Sequence, residues 1–279
     1  MSCNPSLEKV SWTINKNDIE NILLKKSKYS KYGLLFEDRE YAGKIHFEDY
    51  SCKNDICNKS SNNINISKGS KDSVYTPLSV VNFHTHPLSC YLDNETIWGW
   101  PSGEDLKECI SFSKKGNLTH IIFTVEGTYI IEVNRDCKIT SNVAKCIEEL
   151  FKNTHKYRLY YNPDETGYDL HSEFDKLYLK PIQLNKEKNI LYSWLSLVNN
   201  LTLDKLKILC NNFKIKLNTE NISNNNCKFY SIKLVENKTL QFEDSSDIKK
   251  FRKLNNVTIC MKCDIKYKAP FISSKCRLK

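Results

Sequence analysis

The stretch Leu78–Pro87, LSVVNFHTHP, constrains this chain more than any other. It reads as a buried strand whose apolar run ends in polar residues. On a strand, residues two apart point the same way, so His84 and His86 face one side. Two neutral imidazoles on one face make half of a zinc site. The same spacing also suits two solvent-facing histidines or a hydrogen-bonded pair.

The neighbouring segments frame that strand. Residues 7–30 read as a short strand followed by an amphipathic helix with Ile19, Ile22 and Leu23 on one face. Residues 31–50 read as helix-to-strand or as paired strands. Residues 51–73 are rich in Asn, Ser and Lys without periodicity, which predicts a surface loop or insertion. After the histidines, residues 102–116 predict a helix capped by Ser102 and stopped at Gly116. Residues 118–133 predict a hairpin turning at Glu126-Gly127, and 141–153 a helix capped by Ser141. This order predicts an α/β sandwich over residues 8–157. The segment 160–167 has the turn-rich composition of a linker. Beyond it, residues 168–279 predict an α+β region, with a helix around Leu203, Leu206, Leu209 and Cys210 and a strand hairpin at 227–244. It is either a second small domain or extra elements packed on the first.

Composition narrows the function classes. The net charge of +9 comes mostly from dispersed lysines, without a dense basic patch interleaved with aromatics, so nucleic acid is not the expected partner. No apolar run approaches the roughly 18 residues of a membrane-spanning helix. The opening MSCNPSLEKVSW lacks the basic start and apolar core of a secretory signal. The expected location is a reducing cytoplasm: the host cytoplasm, or a virion, if the chain is viral. In that compartment the 12 cysteines are expected to be mostly free thiols.

A second motif joins the histidines. In Pro101-Ser102-Gly103-Glu104-Asp105, Ser102 and Asp105 lie three apart at a helix start and share a face. Ser-x-x-Asp before an apolar helical run is also a variant capping box. If the loop folds back, Asp105 supplies a carboxylate oxygen to the metal that the histidines hold. Three protein ligands leave one position open, the mark of a catalytic zinc.

HTHP followed by PSGED resembles the signature of the JAMM (JAB/MPN/Mov34, MPN-plus) zinc metalloproteases. The resemblance extends upstream, where Glu40-Tyr41-Ala42-Gly43-Lys44-Ile45 matches the family's Glu-x-x-Gly-x-aliphatic pattern. It covers about residues 8–155. It implies a cytidine-deaminase-like sandwich, a central mixed sheet with flanking helices. It also implies zinc on His84, His86 and Asp105, Glu40 as general acid/base, and Ser102 as oxyanion donor. The implied activity is hydrolysis of an isopeptide bond, with a ubiquitin or ubiquitin-like conjugate as the commonest substrate. One departure stands out: 14 residues separate Pro87 from Ser102, about twice the family's usual spacing. Loop length is thermodynamically cheap, so the site survives the insertion. Trp98 and Trp100, within it, either form a lip at the site or pack the insertion down. His120, at the next strand's start, reads as structural.

Weaker signals remain. Cys260 and Cys263 form one knuckle and, with Cys227 and Cys276, could make a structural zinc site; thiols packed near a strand end are the simpler expectation. The basic tail from Cys263 reads as a solvated end. The competing function is a structural or interaction protein, such as a virion component, that uses the same fold as a scaffold with an assembly partner. A third is a nucleic-acid-associated role like that of RadC-type relatives.

Overall fold

The structure is a computed structural model that describes residues 9–14, 34–53, 56–71, 73–87, 89–90, 99–124, 126–153, 186–218, 226–236 and 265–268. The helix expected within 15–30, Trp98, the linker at 160–167, residues 237–244 of the second hairpin, and Cys260, Cys263 and Cys276 lie outside these residues.

The described strands form one mixed sheet. They are β1 (Lys9–Ile14), β2 (Tyr41–Lys53), β3 (Ile56–Lys68), β4 (Val81–Thr85), β5 (Thr119–Phe123), β6 (Gly127–Val133), β7 (Tyr230–Glu236) and β8 (Ile265–Lys268). The order across the sheet is β7-β6-β5-β4-β2-β3-β1-β8. The β4–β5 and β1–β3 pairs are parallel and the others antiparallel. The helices are α1 (Gly103–Lys114), α2 (Ser141–Asn153), α3 (Lys186–Asn199) and α4 (Leu203–Asn212). This is a mixed α/β architecture. No described helix is long and apolar enough to cross a membrane.

The residues around the histidines follow their sequence signals. Strand β4 is buried along its whole length, as its apolar run requires. The parallel β4–β5 step needs a crossover, which α1 supplies. Gly116 ends that crossover at φ +104°, a conformation in which a Cβ is disfavoured. The β5–β6 hairpin turns where expected, with Thr124 N donating to Gly127 O at 2.9 Å.

Two expectations are corrected. Residues 51–73 are not a loop: most belong to β2 and β3, two 13-residue strands paired in an antiparallel ladder. No apolar alternation marked β3 because neighbours on both sides, β2 and β1, satisfy its backbone, while Ile64 and Ile66 are only half-buried. Ser141 is not the cap of α2. Thr140 is, its Oγ1 accepting from Val143 N at 3.3 Å. Cys137 and Cys227 are joined by a disulfide, which removes Cys227 from any four-cysteine zinc set, whereas Cys90, Cys109, Cys146 and Cys210 are thiols, within the expectation of mostly reduced cysteines.

The chain beyond residue 168 does not stand apart where it is described. Strand β7 extends the common sheet through β6. Asn199 of α3 covers the exposed side of β7, accepting from Ile232 N at 2.6 Å and donating to Ile232 O at 2.8 Å. Helices α3 and α4 bury Trp194, Leu195, Val198, Leu206 and Leu209 in the core that also holds Ile122, Tyr129 and Ile147. Trp100 stacks on Trp194 at 5.4 Å between ring centroids, with Tyr129 and Phe151 edge-on to the same indole.

Candidate metal centre

Strand β4 and the first turn of α1 bring together three side chains that could hold a metal ion. His84, His86 and Asp105 each offer one ligand atom, and these atoms lie within 4.8 Å of one another. His84 Nε2 is 3.2 Å from Asp105 Oδ1, and His86 Nε2 is 3.5 Å from Asp105 Oδ2. The two Nε2 atoms are 3.0 Å apart. The strand period explains the shared face of the imidazoles. His86 lies one residue past β4, and its N–H still donates to Phe123 O at 2.9 Å, so the ladder carries it.

Asp105 is aimed by the cap of its own helix. Ser102 Oγ accepts from Asp105 N at 3.1 Å, and Asp105 Oδ2 accepts from Ser102 N at 2.6 Å. The capping box and the metal ligand, which the sequence left as alternatives, are thus compatible in one residue, because a carboxylate has two oxygens and several lone pairs. Gly103 sets the depth of the helix. A Cβ there would meet Glu148 O at 2.1 Å and Lys152 N at 2.8 Å, so only glycine lets α1 approach the backbone of α2 this closely.

The long insertion ends in a fixed point of the site. Gly99 O accepts from His86 Nδ1 at 2.7 Å, which in the neutral ring leaves the lone pair on Nε2, toward Asp105. Gly99 N in turn donates to Glu126 Oε1 at 2.9 Å, and Tyr129 OH donates to the same oxygen at 2.7 Å. Of the two roles considered for Trp100, packing is the one it performs. It is buried against Trp194 and anchors the insertion beside Gly99.

Glu40 directly precedes β2. Its backbone is pinned between β2 and the end of β3, Glu40 N donating to Ser70 O at 3.0 Å and Gly69 N to Glu40 O at 2.9 Å. Gly43, three residues on, pairs with Phe83 of β4; a Cβ there would meet Asn65 O at 1.8 Å and the Phe83 ring at 2.8 Å. The glycine of the Glu-x-x-Gly pattern is therefore a packing requirement that seats Glu40 next to β4. Burial pushes the Glu40 carboxyl above its ordinary range, with the charge of Asp105 adding to that and the imidazoles of His86 and His84 opposing it. Cys90 Sγ, 3.8 Å away, donates to its Oε1.

The donor set fits a borderline-soft divalent cation. Two ring nitrogens and a carboxylate converge, and His86 is already held with its lone pair inward. Burial works to raise the Asp105 pKa, but the adjoining His84 and His86 outweigh it and hold the carboxyl well below the usual carboxylate range, so the ligand stays anionic. The structure thus brings together His84, His86 and Asp105, places Glu40 where all three act on it electrostatically, and makes Ser102 the cap that positions Asp105. Sequence reasoning missed Gly99, Glu126 and Asn82 as partners of the site. Only Asn82 carried a signal, the period-2 spacing that puts it on the face of His84.

No family model matches the chain, and no solved structure does. Among curated proteins, a 64-residue stretch, 23% of this chain, is 34% identical to "Uncharacterized protein 3R" of Frog virus 3 (isolate Goorha). The match spans 14% of that viral protein's length.

Proposed function

We propose that this chain is a zinc-dependent amide hydrolase of the JAMM type, acting on an isopeptide bond in a ubiquitin-like conjugate. The observation that carries this reading is the convergence of His84, His86 and Asp105 with a half-buried glutamate of raised pKa coupled to them. The mixed sheet, the crossover helix that carries Ser102 and Asp105, and the packing role of Gly43 support the JAB/MPN sandwich as its fold.

A zinc ion held by His84, His86 and Asp105 would polarise the scissile carbonyl and lower the pKa of water at the site toward neutrality. The residues of the chain do the rest. Glu40, whose carboxyl burial pushes above its ordinary range, takes the proton of the attacking water and delivers it to the leaving amine. Ser102 Oγ spends a lone pair on Asp105 N, which leaves its own O–H to donate to the carbonyl oxygen as charge develops there. The N-terminus of α1 adds a favourable field at that oxygen. Glu126, through Gly99, keeps His86 from rotating away.

The test is incubation of the zinc-loaded full chain with a panel of linkage-defined ubiquitin dimers, with the Glu40→Gln variant alongside. Cleavage by the wild type and a loss of at least about 100-fold in the variant are expected. A zinc-loaded protein that cleaves no dimer would rule out ubiquitin conjugates as the substrate.

A further inference from the structure

We infer that Asn82 and His120 form a positioning relay that locks His84 in the one neutral tautomer able to bind a metal through Nε2. The inference rests on the reading of His84 as a ligand and deepens it.

The Asn82 amide is fixed in orientation. Asn82 Nδ2 donates to Pro77 O at 3.1 Å, and Asn82 Oδ1 accepts from Asn117 Nδ2 at 2.9 Å. The Asn117 amide is itself fixed, donating also to Ser79 O at 2.7 Å and Thr119 O at 3.0 Å. Flipping Asn82 would set two NH2 groups and two oxygens against each other, so the atom facing His120 is an oxygen. His120 Nδ1 lies 2.8 Å from it and must therefore carry the hydrogen. The His120 ring is buried, with Phe112 against it, and its neutral form has a lone pair on Nε2. That lone pair faces His84 Nδ1 at 2.8 Å, so His84 Nδ1 must donate. The remaining nitrogen of His84, Nε2, then presents its lone pair to Asp105 and His86.

The opposite tautomer of His84 would press two lone pairs together at the His84–His120 contact, at the cost of a buried hydrogen bond. Strand register builds the relay. Asn82 and His84 are two apart on β4, and parallel pairing places His120 of β5 directly opposite Asn82. A ligating histidine usually donates its second N–H to a carboxylate, a carbonyl or water. Here a neutral imidazole backed by an amide takes that place, and it adds no negative charge behind the ligand. His120 is thus a positioning residue that acts through His84.

Two measurements on the full chain decide it. Histidine side-chain 1H–15N correlation spectra of the zinc-loaded wild type at neutral pH are expected to show His120 protonated at Nδ1 and bare at Nε2, with His84 also protonated at Nδ1. Protonation of either ring at Nε2 alone would overturn the relay, and this readout needs no variant that folds. Zinc affinity, by competition with a chromophoric chelator, is expected to fall about 10- to 100-fold in His120→Leu. His120→Gln, whose oxygen can accept from His84 and whose NH2 can donate to Asn82, should recover most of the loss. Unchanged affinity in His120→Leu, or no recovery in His120→Gln, would refute the role. A wild type that takes up no zinc would instead reject the metal centre, and with it the ligand that the relay positions.

Discussion

Ser102 has two roles that different substitutions separate. Its Oγ accepts from Asp105 N at 3.1 Å as the cap of α1, and its O–H is assigned to the oxyanion. Ser102→Ala removes the cap acceptor and leaves the Asp105 N–H without its partner. Loss of such a cap costs typically about 1 kcal/mol. For a domain of this size, that is a fall of roughly 2–4 °C in Tm. Glycine tolerates the N-cap backbone, and Ser→Gly at such a position costs only a few tenths of a kcal/mol. Neither variant can donate to an oxyanion, a deficit of about 10²–10³ in turnover. The expected pattern is therefore a clear melting shift for Ser102→Ala, almost none for Ser102→Gly, the same turnover loss in both, and recovery of both properties in Ser102→Thr. Calorimetry and steady-state cleavage measure the two quantities. A Ser102→Gly protein that turns over like the wild type would refute the oxyanion role and leave Ser102 as a cap alone.

Further expectations follow from other contacts. Gly103→Ala drives a methyl group into Glu148 O and should destabilise the fold by about 1–3 kcal/mol, read from urea denaturation; a wild-type midpoint would mean that the α1–α2 approach is not tight. Glu40→Gln removes a half-buried carboxyl whose folded pKa lies above its unfolded one. The metal-free wild type must bury that charge as pH rises past the ordinary carboxylate range, so its stability falls there. The variant should gain stability relative to the wild type at neutral pH, with the gap closing below the unfolded pKa; a gap independent of pH would contradict the burial of Glu40. Among the described free thiols, Cys109 and Cys210 are buried, and burial pushes Cys109 far up and Cys210 up to about 12, so iodoacetamide should label the half-buried Cys90 well before either. Peptide mapping that finds Cys210 modified first would show that α4 is not packed as described.

The parts of the site that were legible in the sequence are those dictated by local rules. His84 and His86 follow from strand period, and Ser102 and Asp105 from helix-start chemistry. Glu40 was marked only through the resemblance, whose Glu-x-x-Gly pattern it matches, and the close approach of Gly43 to Phe83 gives that glycine a packing reason. What stayed hidden depends on pairing across the chain. No local pattern announces that Gly99 O receives His86, or that Glu126, read only as a turn residue, holds Gly99. His120 read as structural because its partner, Asn82, is set by strand register. The continuation of the β2–β3 ladder through residues 51–68 was missed because β3 is polar in sequence and its pairing, with β2 on one side and β1 on the other, is set across the chain. Helix α3 was missed because its apolar positions follow a segment with no clear periodicity, and its place in the shared core comes from tertiary contacts such as the Trp100–Trp194 stack.

The central claim is that His84, His86 and Asp105 bind one catalytic ion. The most direct measurement is elemental analysis of the purified full chain after zinc loading and dialysis, with His84→Ala and Asp105→Ala treated in parallel. About one zinc per wild-type chain, and little in either folded variant, is the expected result. A wild type without zinc, or a His84→Ala protein that retains a full equivalent, would contradict it.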